Sequence, residues 1–163
     1  LDLDAAAESH TSVGRDCLTA GDDCLGAPWP LHPGEVGFIN PPWAARGVSK
    51  AARKAFPGVE LEPFPGTDAF ASRALQEARV SSATVVALLP HSLDSLWQRH
   101  LARRADEVWI GRRIAYLDPV TREPAASPPG GTLALVFRGH VPEDGWPGGP
   151  RVDLAWDPMG AGT

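Results

Sequence analysis

An α/β fold is predicted, with helices layered on a sheet of parallel strands. Three observations carry this reading. Residues 83–89 are a continuous apolar run with β-branched members, the pattern of a strand buried on both faces. They sit between two helical segments, 67–79 and 93–104, so helix, strand and helix alternate as they do in layered α/β sheets. A second apolar run over 34–39 stops abruptly at Asn40-Pro41-Pro42-Trp43, as a buried strand does when it delivers a rigid loop.

Taken in order, Leu1-Asp2-Leu3-Asp4 reads as a short strand that ends in an acid and the small residues Ala5, Ala6 and Ala7. In a doubly wound sheet a nucleotide-like cofactor sits at the carboxyl end of the first strand, where small residues let the backbone approach it. The same residues also suit an Ala-rich helix start capped by Asp4, and no Gly-rich cofactor fingerprint is present. At 40–43 each proline fixes φ and offers no N–H, so the chain leaves the strand in one direction. Residues 48–56 are expected as a short helix ended by Pro57-Gly58, with Lys50, Arg53 and Lys54 on one face, either solvated or facing phosphates.

The helix over 67–79 has Thr67 or Asp68 near its cap and Phe70, Ala74, Leu75 and Ala78 on its apolar face. The helix over 93–104 has Asp94 as its cap and Trp97 as a core residue. A strand at 107–110 and another at 111–117 follow, the latter alternating Arg113 and Ala115 with Ile114 and Tyr116. A Pro-rich loop spans 118–131, and 132–137 is the last strong strand. From Gly139 the composition turns Gly/Pro-rich. This divides the chain into a domain over 1–138 and a loosely packed tail over 139–163, with one short strand at 151–156.

A length of 163 residues is enough for one domain with a real core. No apolar run approaches a membrane span and no signal-peptide pattern is seen, so a cytoplasmic location is the default expectation. The first residue is Leu, which suggests a chain reduced or truncated at its N-terminus. A net charge of −5 gives no global attraction for nucleic acid, so DNA binding would need a local basic face. Cys17 and Cys24 match no zinc or redox spacing and are expected as reduced, partly buried thiols. The histidines at 10, 32, 91, 100 and 140 are scattered, and there is no P-loop or Gly-x-Ser-x-Gly, so metal-site, triphosphatase and hydrolase readings lack support.

The loop at 40–43 carries the chemistry. The Asn40 side-chain oxygen and the Pro41 carbonyl are two acceptors beside the flat face of Trp43, which suits the exocyclic amine of a planar base flipped out of its stack. A stiff turn with a core tryptophan is the plain alternative.

Asn-Pro-Pro-Trp resembles the (Asn/Asp/Ser)-Pro-Pro-(Tyr/Phe/Trp) motif of amino-directed, S-adenosylmethionine-dependent methyltransferases. Leu3-Asp4-Ala5-Ala6-Ala7 is similar to the Leu-Asp-Val-Cys/Ala-Ala opening of the phage N-6-adenine-methyltransferases, the Dam-like group of prophages. Residues 18–25 resemble that family's Thr-x-x-x-Asp-Gly-Leu segment leading to a tryptophan, here Trp29, with Cys24 where Gly is usual. Residues 89–97 resemble its Leu-Pro-x-x-x-Asp-Thr-x-Trp segment, and 111–117 its Gly-Arg-(Ile/Leu)-x-Phe.

The resemblance covers about residues 1 to 137 and implies a Rossmann-like methyltransferase sheet. It also implies methyl transfer from S-adenosylmethionine to adenine N6 in double-stranded DNA, without a metal. It places Asn40, Pro41, Pro42 and Trp43 at the reacting base and Leu3, Asp4, Ala5, Ala6 and Asp23 at the cofactor, while Asp22-Asp23 suits a turn-forming pair equally well. DNA contact would fall to Lys50, Arg53, Lys54 and Arg113. Two other readings stay open: transfer to RNA or to a protein glutamine amide, and a degenerate domain that binds nucleic acid without turnover.

Overall fold

A computed structural model describes residues 1–7, 12–43, 46–61, 63–92, 94–112, 114, 123 and 130–139, and the backbone of 151–156. The side chains of residues 20, 51 and 52 fall outside that description. Expectations for 118–131 and for most of 139–163 therefore lie outside the described residues, as does most of the strand expected at 111–117.

Seven strands among the described residues form one sheet in the order β2-β1-β3-β4-β6-β5-β7. They are β1 (Leu3–Asp4), β2 (Asp16–Cys17), β3 (Val36–Ile39), β4 (Thr84–Pro90), β5 (Glu107–Gly111), β6 (Thr132–Arg138) and β7 (Arg151–Trp156). The helices are α1 (Lys50–Ala55), α2 (Thr67–Ser81) and α3 (Leu96–Ala102).

The chain runs outward from β1 to β2 and then returns to the other side of β1 as β3. Both neighbours are parallel to β1, with Leu3 opposite Asp16 and Gly37. Strand order reverses at β1, so the crevice at the carboxyl ends of β1 and β3 is a topological switch point. One expectation is corrected here: the sheet is mixed. β6 lies between β4 and β5 and is antiparallel to both. β7 joins the far edge parallel to β5, so the Gly/Pro-rich segment contributes a strand to this sheet.

The core follows from the sequence periods. On β4, Val85, Ala87 and Leu89 are fully buried, while Thr84, Val86 and Leu88 are half-buried. This is an alternation, not the two-sided burial that the unbroken apolar run suggested. Leu133, Leu135 and Phe137 of β6, with Leu3 and Ile39, complete the packed layer. α2 lies on it through Ala71, Ala74 and Ala78, whose small side chains let helix and sheet approach closely, and Phe70 and Leu75 pack at the margin. The helix starts at Thr67 as expected, with Gly66 in the N-cap position at φ 92°, a left-handed value that favours glycine. α3 is shorter than expected and begins after Ser95, while Asp94 accepts a hydrogen bond from the Ser92 hydroxyl.

The segment leading into β3 is clamped to α2 by a buried ion pair. Arg73 meets Glu77 at 2.6 Å and also donates to the Ala27 carbonyl, while Glu77 accepts the Trp29 backbone N–H. Trp29 itself is buried and donates its indole N–H to the Cys24 carbonyl. Breaking a buried pair strands the surviving charge. Glu77→Ala is therefore expected to cost about 3–5 kcal/mol of stability, measured by urea denaturation of the variant beside the parent chain; a change below 1 kcal/mol would mean that Arg73 finds water instead.

Candidate active site

β3 ends at Ile39, which is fully buried, and the next four residues cross the switch point. Asn40 and Trp43 are half-buried, Pro41 is buried and Pro42 is exposed. The parallel ladder with β1 continues past the strands, since Ala5 donates its N–H to the Phe38 carbonyl at 2.8 Å. It sets Ala5 and Ala6 beside the start of the Asn-Pro-Pro-Trp loop. A hollow of about 350 Å³ is lined by Ala6, Asn40, Pro41, Pro42 and Trp43. Within it the Asn40 side-chain oxygen is buried and has no hydrogen-bond partner among the described residues. An orphaned buried acceptor costs about 1–3 kcal/mol and calls for an explanation.

The far end of the loop is tied down by a residue that was read only as a helix cap. Thr67, the first residue of α2, donates its hydroxyl to the Pro42 carbonyl at 2.9 Å. The contact joins positions 25 residues apart, so no local spacing announces it. Gln98 does the same for the end of β4: it is fully buried, accepts the Ser92 N–H and donates to the Pro90 carbonyl.

The residues expected around a cofactor divide into groups. Leu3 is fully buried in the core, and Ala5 is buried beneath the loop. Asp4 is buried and its carboxylate accepts the Val13 N–H at 3.2 Å. Ala6 alone of this set lines the hollow. Asp23 does not line it: it is exposed at a left-handed φ of 46°, and its carboxylate accepts the Gly26 N–H at 3.1 Å.

Just before it, Asp22 accepts both the backbone N–H and the hydroxyl of Thr19, which hold its carboxyl below the ordinary range. Cys17 and Cys24 are free and half-buried, as expected, and burial, aided by the Asp23 charge, pushes the Cys24 thiol up. Among the described residues, no group of three His, Cys, Asp or Glu is placed to hold a metal ion.

A model of the DNA N-6-adenine-methyltransferase (Dam) family matches residues 1–146. The chain belongs to that family. No curated protein and no solved structure matches it.

Membership in the Dam family implies DNA adenine methyltransferase function, and it gives the basic residues beyond the loop a context. Lys50, Arg53 and Lys54 lie on α1, all exposed, and none enters an ion pair found among the described residues. The α1 segment is an excursion between β3 and α2 with a pinned neck. Gly47 and Phe64 exchange backbone hydrogen bonds, Phe64 stacks on Phe70 of α2, and Arg46 pairs with Asp68 at 3.0 Å. Arg113 lies outside the described residues. Among the described residues no helix is long and apolar enough to cross a membrane.

Thr67→Val keeps the shape of the side chain but removes the hydroxyl donor to Pro42. It is expected to lower stability by about 1 kcal/mol and to slow methyl transfer by loosening the loop, read from a denaturant melt and a turnover assay run side by side. Wild-type turnover in that variant would show that the prolines hold the loop unaided.

Proposed function

We propose that the chain is an S-adenosylmethionine-dependent DNA (adenine-N6)-methyltransferase whose reacting base is held by Asn40, Pro41 and Trp43. The observation that carries the reading is the buried oxygen of Asn40, without a hydrogen-bond partner among the described residues, on a residue that lines a hollow with Ala6 at the switch point of the sheet. An acceptor left open in that position suits a donor that arrives with the substrate. The sheet is read as Rossmann-like, because β2-β1-β3-β4 reverses direction about β1. It is a reduced version: the usual doubly wound order has two strands outside β1, and one is found there among the described residues.

The residues fit the cofactor on two counts. Ala6 leaves open a floor that a larger side chain would fill, and the buried backbone at Ala5 follows a parallel strand end, where nucleotide-like ligands sit. In this reading Ala5 and Ala6 hold S-adenosylmethionine at the backbone. Leu3 shapes the strand beneath, Asp4 fixes the returning chain at Val13, and Asp23 closes the turn at Gly26 outside the hollow. The bound cofactor supplies an electrophilic methyl group on a sulfonium.

The protein's own part is positioning and electrostatics. The Asn40 oxygen and the Pro41 carbonyl accept the two hydrogens of the adenine amine, which leaves the nitrogen lone pair less delocalised into the ring. The same two dipoles stabilise the positive charge that develops on that nitrogen. Pro41 and Pro42 fix the acceptors before the base arrives, so little reorganisation is needed at the moment of reaction. The Trp43 indole gives the extruded base a surface to stack on, a contact of about 1–3 kcal/mol. Lys50, Arg53, Lys54 and Arg113 neutralise phosphates of the duplex around the target, offsetting an overall charge of −5.

Incubation with labelled cofactor and unmethylated double-stranded DNA should place label on adenine. Label confined to RNA or protein would replace the substrate, and cofactor binding without transfer would make the chain a binding module. Asn40→Ala is expected to cut kcat by about 10²-fold or more while cofactor affinity changes only slightly; unchanged turnover would remove Asn40 from the mechanism. Replacing Lys50, Arg53 and Lys54 together by Gln should lower the slope of log K against log salt by about 2 to 3, and an unaltered slope would leave α1 as a merely solvated face.

A further inference from the structure

The face of the sheet covered by α2 and α3 carries a trough that the Asn40 hollow does not use. It begins on the other side of Trp43, where a hollow of about 430 Å³ is bordered by Trp43, Thr67, Asp68, Trp97 and Gln98. Past Trp97 and Asp68 it continues into a second hollow of about 590 Å³, bordered by Leu96, Arg99, His100 and Arg103. Because Trp43 borders the first two hollows and Trp97 the last two, the three form one run from the Asn-Pro-Pro-Trp loop to the outside of α3.

The chemistry of this run is uneven in an informative way. Residues 95–105 include Arg99, His100, Arg103 and Arg104 and no acid, in a chain whose net charge is −5. Asp68, the acid in the trough, is already paired with Arg46. Arg99 and Arg103 are exposed and enter no ion pair found among the described residues. Of the acids that flank this stretch, Asp94 accepts from Ser92 and feels the Arg99 charge, and Asp106 lies against Arg79 and accepts the Arg138 N–H. Trp97 is half-buried against the core and borders both hollows, and Leu96 is 78% exposed at the rim. An aromatic platform followed by unpaired cations is how grooves for single strands are built: bases stack and phosphates are neutralised. A trough of this kind does not match a continuous duplex. It does match the few nucleotides beside a base that has left the stack.

We propose that this trough seats the target strand on one side of the extruded adenine, with a neighbouring base lying on Trp97 and the phosphates on Arg99 and Arg103. The proposal rests on the methyltransferase reading and extends the DNA-contacting surface beyond α1 to α3.

The test uses the full chain, a synthetic duplex carrying a short unpaired, adenine-containing bubble for binding, and unmethylated plasmid DNA for turnover. R99Q/R103Q replaces two exposed side chains outside the loop. It should lower the salt slope of duplex binding by about 1.5 to 2, raise KM for DNA and leave kcat at saturating DNA and the thermal midpoint at parent values. W97A should weaken binding roughly 5- to 150-fold, with recovery in W97F. A parent-like salt slope and KM in R99Q/R103Q would overturn the proposal, whatever W97A does, and would leave the methyltransferase reading standing. Conversely, a reduced slope in R99Q/R103Q with no label reaching DNA in the parent chain would sustain the trough as a DNA seat and sink the methyltransferase reading.

Discussion

The site depends on the parallel pairing of β1 with β3. Only two residue pairs define it, Leu3 with Gly37 and Asp4 with Phe38, yet it decides which residues meet at the sheet's carboxyl edge. A slip of one residue would turn every side chain of β1 to the other face, taking Leu3 out of the core and Asp4 away from Val13. The pairing is held by burial of Leu3 and Ile39 on one side of the ladder and by backbone hydrogen bonds from Asp2 and Ala5 on the other. Two short strands thus carry a functional alignment because their neighbours leave them no alternative register.

Around that alignment the structure fixes the loop from outside. The prolines limit its backbone, Thr67 holds its far end, and α2 is held in turn by alanines against β4 and β6 and by the Arg73–Glu77 pair against the 24–31 segment. The polar groups at the edge of the site are almost all engaged with one another: Asp4 with Val13, Asp22 with Thr19, Asp23 with Gly26, Gln98 with Ser92 and Pro90. Against that background the buried oxygen of Asn40, which has no hydrogen-bond partner among the described residues, is the acceptor that the loop brings to this edge.

Much of the architecture was legible because its signals are local. The apolar runs at 34–39, 83–89 and 132–137 became β3, β4 and β6, and the 3.6-residue spacing over 67–79 became α2, extended to Ser81. The loop announced itself through two prolines, and the family through ordered short motifs. What stayed hidden needed pairing information. Nothing in 132–137 says that this strand runs antiparallel between β4 and β5, because an apolar run has no direction. Alternation on β4 was masked by apolar residues at half-buried positions, where Val86 and Leu88 are tolerated at no cost. The contacts of Thr67 with Pro42 and of Glu77 with Trp29 span 25 and 48 residues, beyond the reach of any periodicity. For Asp23 the sequence held two readings, a cofactor contact implied by the family resemblance and a turn-forming acid pair, and its carboxylate does close a turn on Gly26.

The place of β6 in the sheet bears on how the molecule is made. β4 and β5 emerge from synthesis first, yet they do not pair with each other, and the strand that joins them spans 132–138. Until those residues are available, β4 has one bare, strongly apolar edge, the kind of surface that recruits strands from other chains. Insertion of a late strand between two earlier ones is also a long-range event, with the slow closure that such contacts bring. Polypeptides that end after Trp43 but before Thr132 would therefore carry the whole Asn-Pro-Pro-Trp loop but lack the wedge that makes its supporting sheet continuous.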